Sequence, residues 1–230
     1  MASGAPLNTA SSAASPPIVV EAHPLLDVAC FWSDWPRAIG ALSSPPALLA
    51  LFSREARAPL ATDEAVRGAV RELLRVGGFK PTGRGKPASE YLWKAVDEGW
   101  FSPEKGINAA VDVCNAVSLH SGLPISVVDA ARLEAPLRIG LLPKGTSYAF
   151  NPAGQVIDVG GLFGLCDALG PSAGPVKDAQ RSKTHEETRR TLTIIWGTTA
   201  LPGRTEAARS WYARLQEGLG ATVEPARAAG

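Results

Sequence analysis

The order in which periodicities follow one another is the strongest constraint on how this chain folds. Helical spacing dominates the first half and strand-like runs the second, with no regular strand–helix alternation. Helices first and strands later favour an α+β domain over a doubly wound parallel sheet, here a single domain with helices packed on a mixed β-sheet. Thr62 can cap the first clear helix, with acidic residues in its first turn. Val66, Val70, Leu73 and Leu74 recur on one face until Gly77 and Gly78 end it. Ser89 and Glu90 start a second helix with Tyr91, Leu92, Val96 and Trp100 as its apolar face. INAAVDVCNAVSL, residues 107–119, forms another, burying Val111, Cys114 and Leu119 and stopping near Gly122, Leu123 and Pro124. Residues 18–21, 125–128, 137–142, 147–150 and 155–159 read as strands, and the β-branched run 192–196 as a core strand. Residues 206–215 close the chain with an amphipathic helix. Between Pro24 and Pro59 lie short apolar patches broken by proline pairs, CFWSDW at 30–35 among them.

Residues 1–17, almost wholly Ala, Ser, Gly and Pro with one Leu, are expected to be a disordered tail. Residues 18–220 form the domain and 221–230 a flexible C-terminus. Lys and Arg total 23 against 22 Asp and Glu, so bulk charge does not drive nucleic-acid coating, though a local basic stripe is allowed. No apolar run is long enough to cross a membrane, and the start lacks a basic region followed by an apolar core, so the expectation is a cytoplasmic protein. Cys30, Cys114 and Cys166 form no CxxC pair and are read as free thiols. His23, His120 and His185 have no ligand spacing, so neither a metal nor another cofactor is expected.

Three groups of residues carry possible chemistry. FKPTGRGKP, residues 79–87, places Lys80, Arg84 and Lys86 around two glycines; it is not a Walker motif, and it reads as a phosphate-contacting loop or an exposed solvated one. Asn108, Asp112 and Asn115 share one helix face, as an exposed polar stripe or as ligand-facing groups. KDAQRSKTHEETRR, residues 177–190, mixes five cations with three carboxylates at a rim. His120, near a helix C-terminus, is expected to act as a cap or on the helix dipole, and His185 to be solvent-exposed.

Taken in order, these pieces resemble the B3/B4 domain, the tRNA-editing domain of the phenylalanyl-tRNA synthetase beta subunit. The likeness rests on Ile107, Asn108, Val111, Asp112, Val113, Asn115, Gly122, Pro124 and Asp129, and on the glycine-rich GGLFG at 160–164. Free-standing relatives of that domain are more similar still, through Pro87, Ser89 and Glu90 and through an Asp-x-x-Arg element with Asp178, Arg181, Thr184 and Thr188. The likeness spans roughly residues 18–213. Ser126 stands where the synthetase motif usually has a histidine, and Lys105 where it usually has an arginine; lysine keeps the charge but not the bidentate fork.

The resemblance implies a trans-acting aminoacyl-tRNA deacylase that hydrolyses the ester of a mischarged tRNA, a hydrolase and not a complete tRNA ligase. Lys105, Asn115 and Ser126 would be catalytic, and Asn108, Asp112, Gly160, Gly161 and Gly164 would bind substrate. Lys80, Arg84, Lys86, Arg181 and Lys183 would meet the tRNA acceptor end. Two alternatives stay open: a non-catalytic RNA-binding module of the same fold, and a small-molecule-binding protein that ignores RNA.

Overall fold

The computed structural model describes residues 15–229. Its fold is α+β. The helices are α1 (Pro46–Leu49), α2 (Glu64–Arg75), α3 (Ala88–Asp97), α4 (Ala109–Ser121) and α5 (Arg204–Gly218). The strands are β1 (Ile18–Val20), β2 (Leu26–Asp34), β3 (Ile125–Asp129), β4 (Leu137–Leu141), β5 (Ser147–Ala149), β6 (Val156–Asp158), β7 (Phe163–Asp167), β8 (Gly170–Ala173), β9 (Arg190–Thr198), β10 (Thr222–Pro225) and β11 (Ala228–Ala229).

Two sheets and a helical layer account for the core. One sheet runs β10-β2-β9-β3, antiparallel throughout; the other runs β11-β1-β4-β7-β8 and is mixed, with β1 parallel to both neighbours. Strand β9 lies inside the first sheet and is buried on both faces. Leu192, Ile194 and Trp196 point to the second sheet, where Ile139, Phe163 and Leu165 meet them. Ile195, on the alternate face, packs with Phe31 against α4 and α5. A central strand sandwiched in this way reads as a continuous apolar run, which explains the sequence of β9.

Helix α4 fills the middle of the helical layer. It is buried almost all round, which is why its polar residues make specific bonds instead of facing water. The fully buried Asp112 accepts from Ile107 N (2.9 Å) and Ser44 Oγ (2.5 Å), tying two loops to the helix. Burial pushes its carboxyl up, and those two bonds pull it back. Ser118 Oγ donates to Leu123 O, and Gly122, in the left-handed region at φ 70°, turns the chain out of the helix toward β3.

Several expectations need correcting. The α2 cap is Asp63, which accepts from Val66 N (2.8 Å), not Thr62. Residues 26–34 are one nine-residue strand rather than broken patches: their side chains alternate between two packed layers, so no simple polar–apolar pattern survives. The segment 221–230, expected to be a flexible C-terminus, instead supplies β10 and β11 through residue 229, completing the edges of both sheets. His120 is no dipole-stabilised cation: it is buried, its Nε2 donates to Leu51 O (2.8 Å), and Trp93 and Trp211 flank the ring. Burial lowers its pKa, favouring the neutral form. Most of the expected disordered tail, residues 1–14, lies outside the described residues.

Replacing Asp112 by Ala leaves Ile107 N without its partner and opens a void under α4. A loss of about 1–3 kcal/mol in urea unfolding is expected, with a clearly smaller loss for Asp112→Asn; equal stability of Asp112→Ala and the parent would contradict the tie.

Candidate functional site

The candidate site is built where β3 leaves α4. Ser126, second in β3, pairs with Ile194 of β9 and shares its face with Trp196. Trp196 Nε1 donates to Ser126 Oγ (2.9 Å), and the buried hydroxyl in turn donates to Asp178 Oδ1 (2.6 Å). Gly174 N donates to the same oxygen (3.2 Å). Asp178 Oδ2 takes no protein partner among the described residues. The residue keeps part of its surface open but is surrounded closely enough that desolvation dominates. The carboxyl is raised to about 6, with Ser126, Gly174 and Lys183 limiting the rise. Tyr148 of β5 backs the same loop by donating to Lys177 O (2.5 Å), and burial pushes its phenol well up.

Beside Asp178 the surface is cationic and aromatic. Lys177 Nζ lies 4.4 Å from the centre of the Phe150 ring and 5.7 Å from that of Tyr91. Lys183 Nζ donates to Phe150 O (2.7 Å). Arg84, exposed on the turn of residues 83–85, lines a cavity of about 310 Å³ with Phe150, Lys177 and the start of β6. Burial, then the charges of Lys183 and Arg84, lower the pKa of Lys177. Among the described residues none of these three cations forms a salt bridge. Cations without salt-bridge partners gathered around two half-buried rings form a surface suited to an anionic, partly aromatic chain.

The structure brings only some of the expected residues to this place. Ser126, Arg84 and Lys183 are here, and Lys80 and Lys86 flank Arg84 on a loop fastened by Tyr91 OH donating to Gly83 O (2.8 Å). Asn115 is half-buried on α4 without a hydrogen-bond partner among the described residues. Its neighbour Cys114 reaches Ile125 O (3.7 Å), and that thiol is pushed up by burial and then by the Asp178 charge. Lys105 is exposed on the turn before α4, ten residues ahead of Asn115. Asn108 caps α4 by accepting from Val111 N (3.0 Å), and Asp112 makes the loop tie described above.

The expected substrate glycines serve backbone packing. A Cβ on Gly161 would collide with Gly77 O at the end of α2, and one on Gly160 would come within 2.9 Å of Pro143 O. One on Gly164 would come within 2.6 Å of the Leu142 side chain. Arg181 is engaged by the fold. Its guanidinium binds the fully buried Asp167 side chain through two bonds (2.9 and 2.7 Å) and also donates to Gly170 O. Burial alone would raise Asp167, but Arg181 and two backbone N–H groups outweigh it and hold the carboxyl below its ordinary value. His185 is half-exposed, with Nε2 3.0 Å from Asp129 Oδ2, which also accepts from Thr188 Oγ1 (2.6 Å).

Sequence reasoning missed Lys177, Tyr148 and Phe150, and gave Asp178 no role. The only signal was Asp178 within the Asp-x-x-Arg element, two residues after an apolar Val176 that buries the loop.

Comparisons with known proteins add little to this geometry. No protein-family model matches the chain, and no curated protein matches it. Among solved structures, an N-terminal fragment of the phenylalanyl-tRNA synthetase beta subunit from Pyrococcus horikoshii superposes with a TM-score of 0.43 and 11% identity, covering 50% of this chain and 40% of that one. The chain thus spans less than half the length of that fragment. No helix among the described residues is long and apolar enough to cross a membrane.

A carboxylate whose folded pKa lies above its unfolded value leaves stability intact below the unfolded value near 3.8 and erodes it as pH rises through about 6. Asp178→Asn, which keeps the Oδ1 acceptor, is therefore expected to be more stable than the parent at pH 7–8, with the advantage vanishing near pH 4. Thermal melts across that range check this; an advantage that grows toward acid pH would contradict it.

Proposed function

We propose that this protein hydrolyses the ester linking an amino acid to the 3′ end of tRNA, acting as a free-standing deacylase. The observation that carries the reading is Asp178: one carboxylate oxygen is fixed by Ser126 and Gly174, the other takes no partner among the described residues, and the group is poised near neutral pH. A carboxylate of this kind is mostly ionised at pH 7 yet more basic than an ordinary aspartate, which suits a general base. The adjoining cations Arg84, Lys177 and Lys183, with Phe150 and Tyr91, suit the phosphates and unstacked bases of a single-stranded acceptor end. The sequence resemblance of residues 107–129 to a tRNA-editing domain supports the choice of ester.

In this mechanism Asp178 Oδ2 takes a proton from a water, whose oxygen attacks the ester carbonyl carbon. The carbonyl–ribose C–O bond then breaks, and the proton passes from Asp178 to the departing ribose oxygen. Free amino acid and intact tRNA leave. Ser126, doubly bonded, holds the base in place rather than attacking, and Trp196 holds Ser126. An aminoacyl ester is already activated, so a positioned water and a matched base supply most of what the step needs.

The test is ester loss above the buffer rate from a panel of radiolabelled aminoacyl-tRNAs, correct and mischarged, between pH 5 and 8. A substrate-selective rate rising through pH about 6 is expected, reduced about 100-fold or more by Asp178→Asn. Arg84→Ala and Lys177→Ala should weaken tRNA binding and each lower its salt slope by about 0.7. Stable esters across the panel with tRNA still bound would replace the deacylase by a non-catalytic RNA-binding module, and absence of tRNA binding at low salt would remove both.

A further inference from the structure

The most spacious cavity described lies away from Asp178 and shares no lining residue with the cavity at Arg84 and Lys177. It is a cleft of about 780 Å³ between the 54–62 loop, α2 and the first turns of α3. Four guanidinium groups face it, from Arg54, Arg57, Arg67 and Arg71, against two carboxylates in the lining, Glu64 and Glu90. Two of the four are fixed in place. Arg71 Nε and Nη2 each donate to Glu90 at 2.6 Å; Arg54 donates twice to Asp97 (2.9 and 2.7 Å) while lying 4.9 Å over the Trp93 ring. A guanidinium has five N–H donors, so each of these fixed forks keeps donors to spare. The other two are freer: Arg67 has only an exposed contact with Glu64 (3.2 Å), and Arg57 pairs with no carboxylate among the described residues.

Four guanidinium groups share one concave wall with three carboxylate partners, Glu64, Glu90 and Asp97, and exposed ion pairs of this kind return little. Folding alone does not call for such an arrangement. It suits recognition of a dense, planar-coordinated negative charge, for which arginine forks are matched in geometry to phosphate oxygens. The cavity volume falls in the usual range of about 300–1,000 Å³ for small-molecule and cofactor sites.

We propose that this arginine cleft binds a phosphate-bearing ligand of nucleotide size, with Arg57 and Arg67 closing on phosphate oxygens and Arg54 and Arg71 forming a preset wall. The proposal is independent of the hydrolytic reading. Its test is calorimetric titration of the full chain at low salt with ATP, pyrophosphate, adenosine and a short oligoribonucleotide, using the parent and the double variant Arg57→Ala/Arg67→Ala. Arg57 is exposed and Arg67, half-buried, makes only an exposed contact with Glu64, so the variant should keep the parent's unfolding transition. Binding of ATP and pyrophosphate but not adenosine is expected, weakened at least about tenfold in the double variant and unchanged in Lys177→Ala. Binding of the oligoribonucleotide alone, with the same dependence on Arg57 and Arg67, would assign the phosphate to an RNA backbone rather than a free nucleotide. No binding by any phosphate compound, or equal binding by parent and double variant, would overturn the proposal.

Discussion

Burial of α4 on nearly every side is the constraint on which the rest of the structure depends. A helix with so little solvent face has to satisfy most of its polar groups inside the protein, and those bonds fix the loops around it. Asp112 holds the approaching chain, Asn108 caps the first turn, and Ser118 and His120 reach neighbouring segments. Gly122 then directs the chain into β3 at one angle, and Cys114 packs under Ile125. The position of Ser126, and through it of Asp178, follows from this packing. Residues that resembled ligand-binding groups on one helix face are therefore partly the means by which the site is held still.

What the sequence disclosed and what it hid divide along physical lines. Strands β3 to β6 and β9 and the helices α2, α4 and α5 were legible because their apolar spacing is regular and their ends carry turn or cap residues, whereas β7 and β8, beginning in the glycine-rich stretch at 160–164, were not read as strands. Strand β2 was not: each of its faces packs on a different layer, so Trp32 and Phe31 are both buried and the period of two disappears into aromatic clutter. The C-terminal strands were hidden for the opposite reason. Residues 222–229 are short edge pieces with little apolar content, and their pairing with β2 and β1 is a tertiary event.

The site was half legible. Ser126, Arg84 and Lys183 were chosen for their chemistry and lie about Asp178 and Lys177, whereas Arg181, chosen on the same grounds, pairs with Asp167 and the glycines pack closely against neighbouring segments. Nothing local distinguishes Arg181 from Lys183, two residues apart. What separates them is Asp167, fourteen residues upstream of Arg181 and buried, which commits that guanidinium to the fold, because leaving such a carboxylate unpaired costs several kcal/mol. Asp178 escaped notice because a shifted carboxyl is made by its environment, and the groups that shape this one lie on β3, β9 and the 174–178 loop. A carboxylate kept partly desolvated weakens the fold at neutral pH.

The claim most open to direct measurement is that this environment, not the residue type, makes Asp178 a base. Carbon-detected NMR titration of the Asp178 carboxyl, assigned by its loss in Asp178→Asn, should give a midpoint near 6 that moves higher in Ser126→Ala, because the serine hydroxyl donates to the ionised form. A midpoint in the ordinary aspartate range near 4, unmoved by Ser126→Ala, would contradict the account.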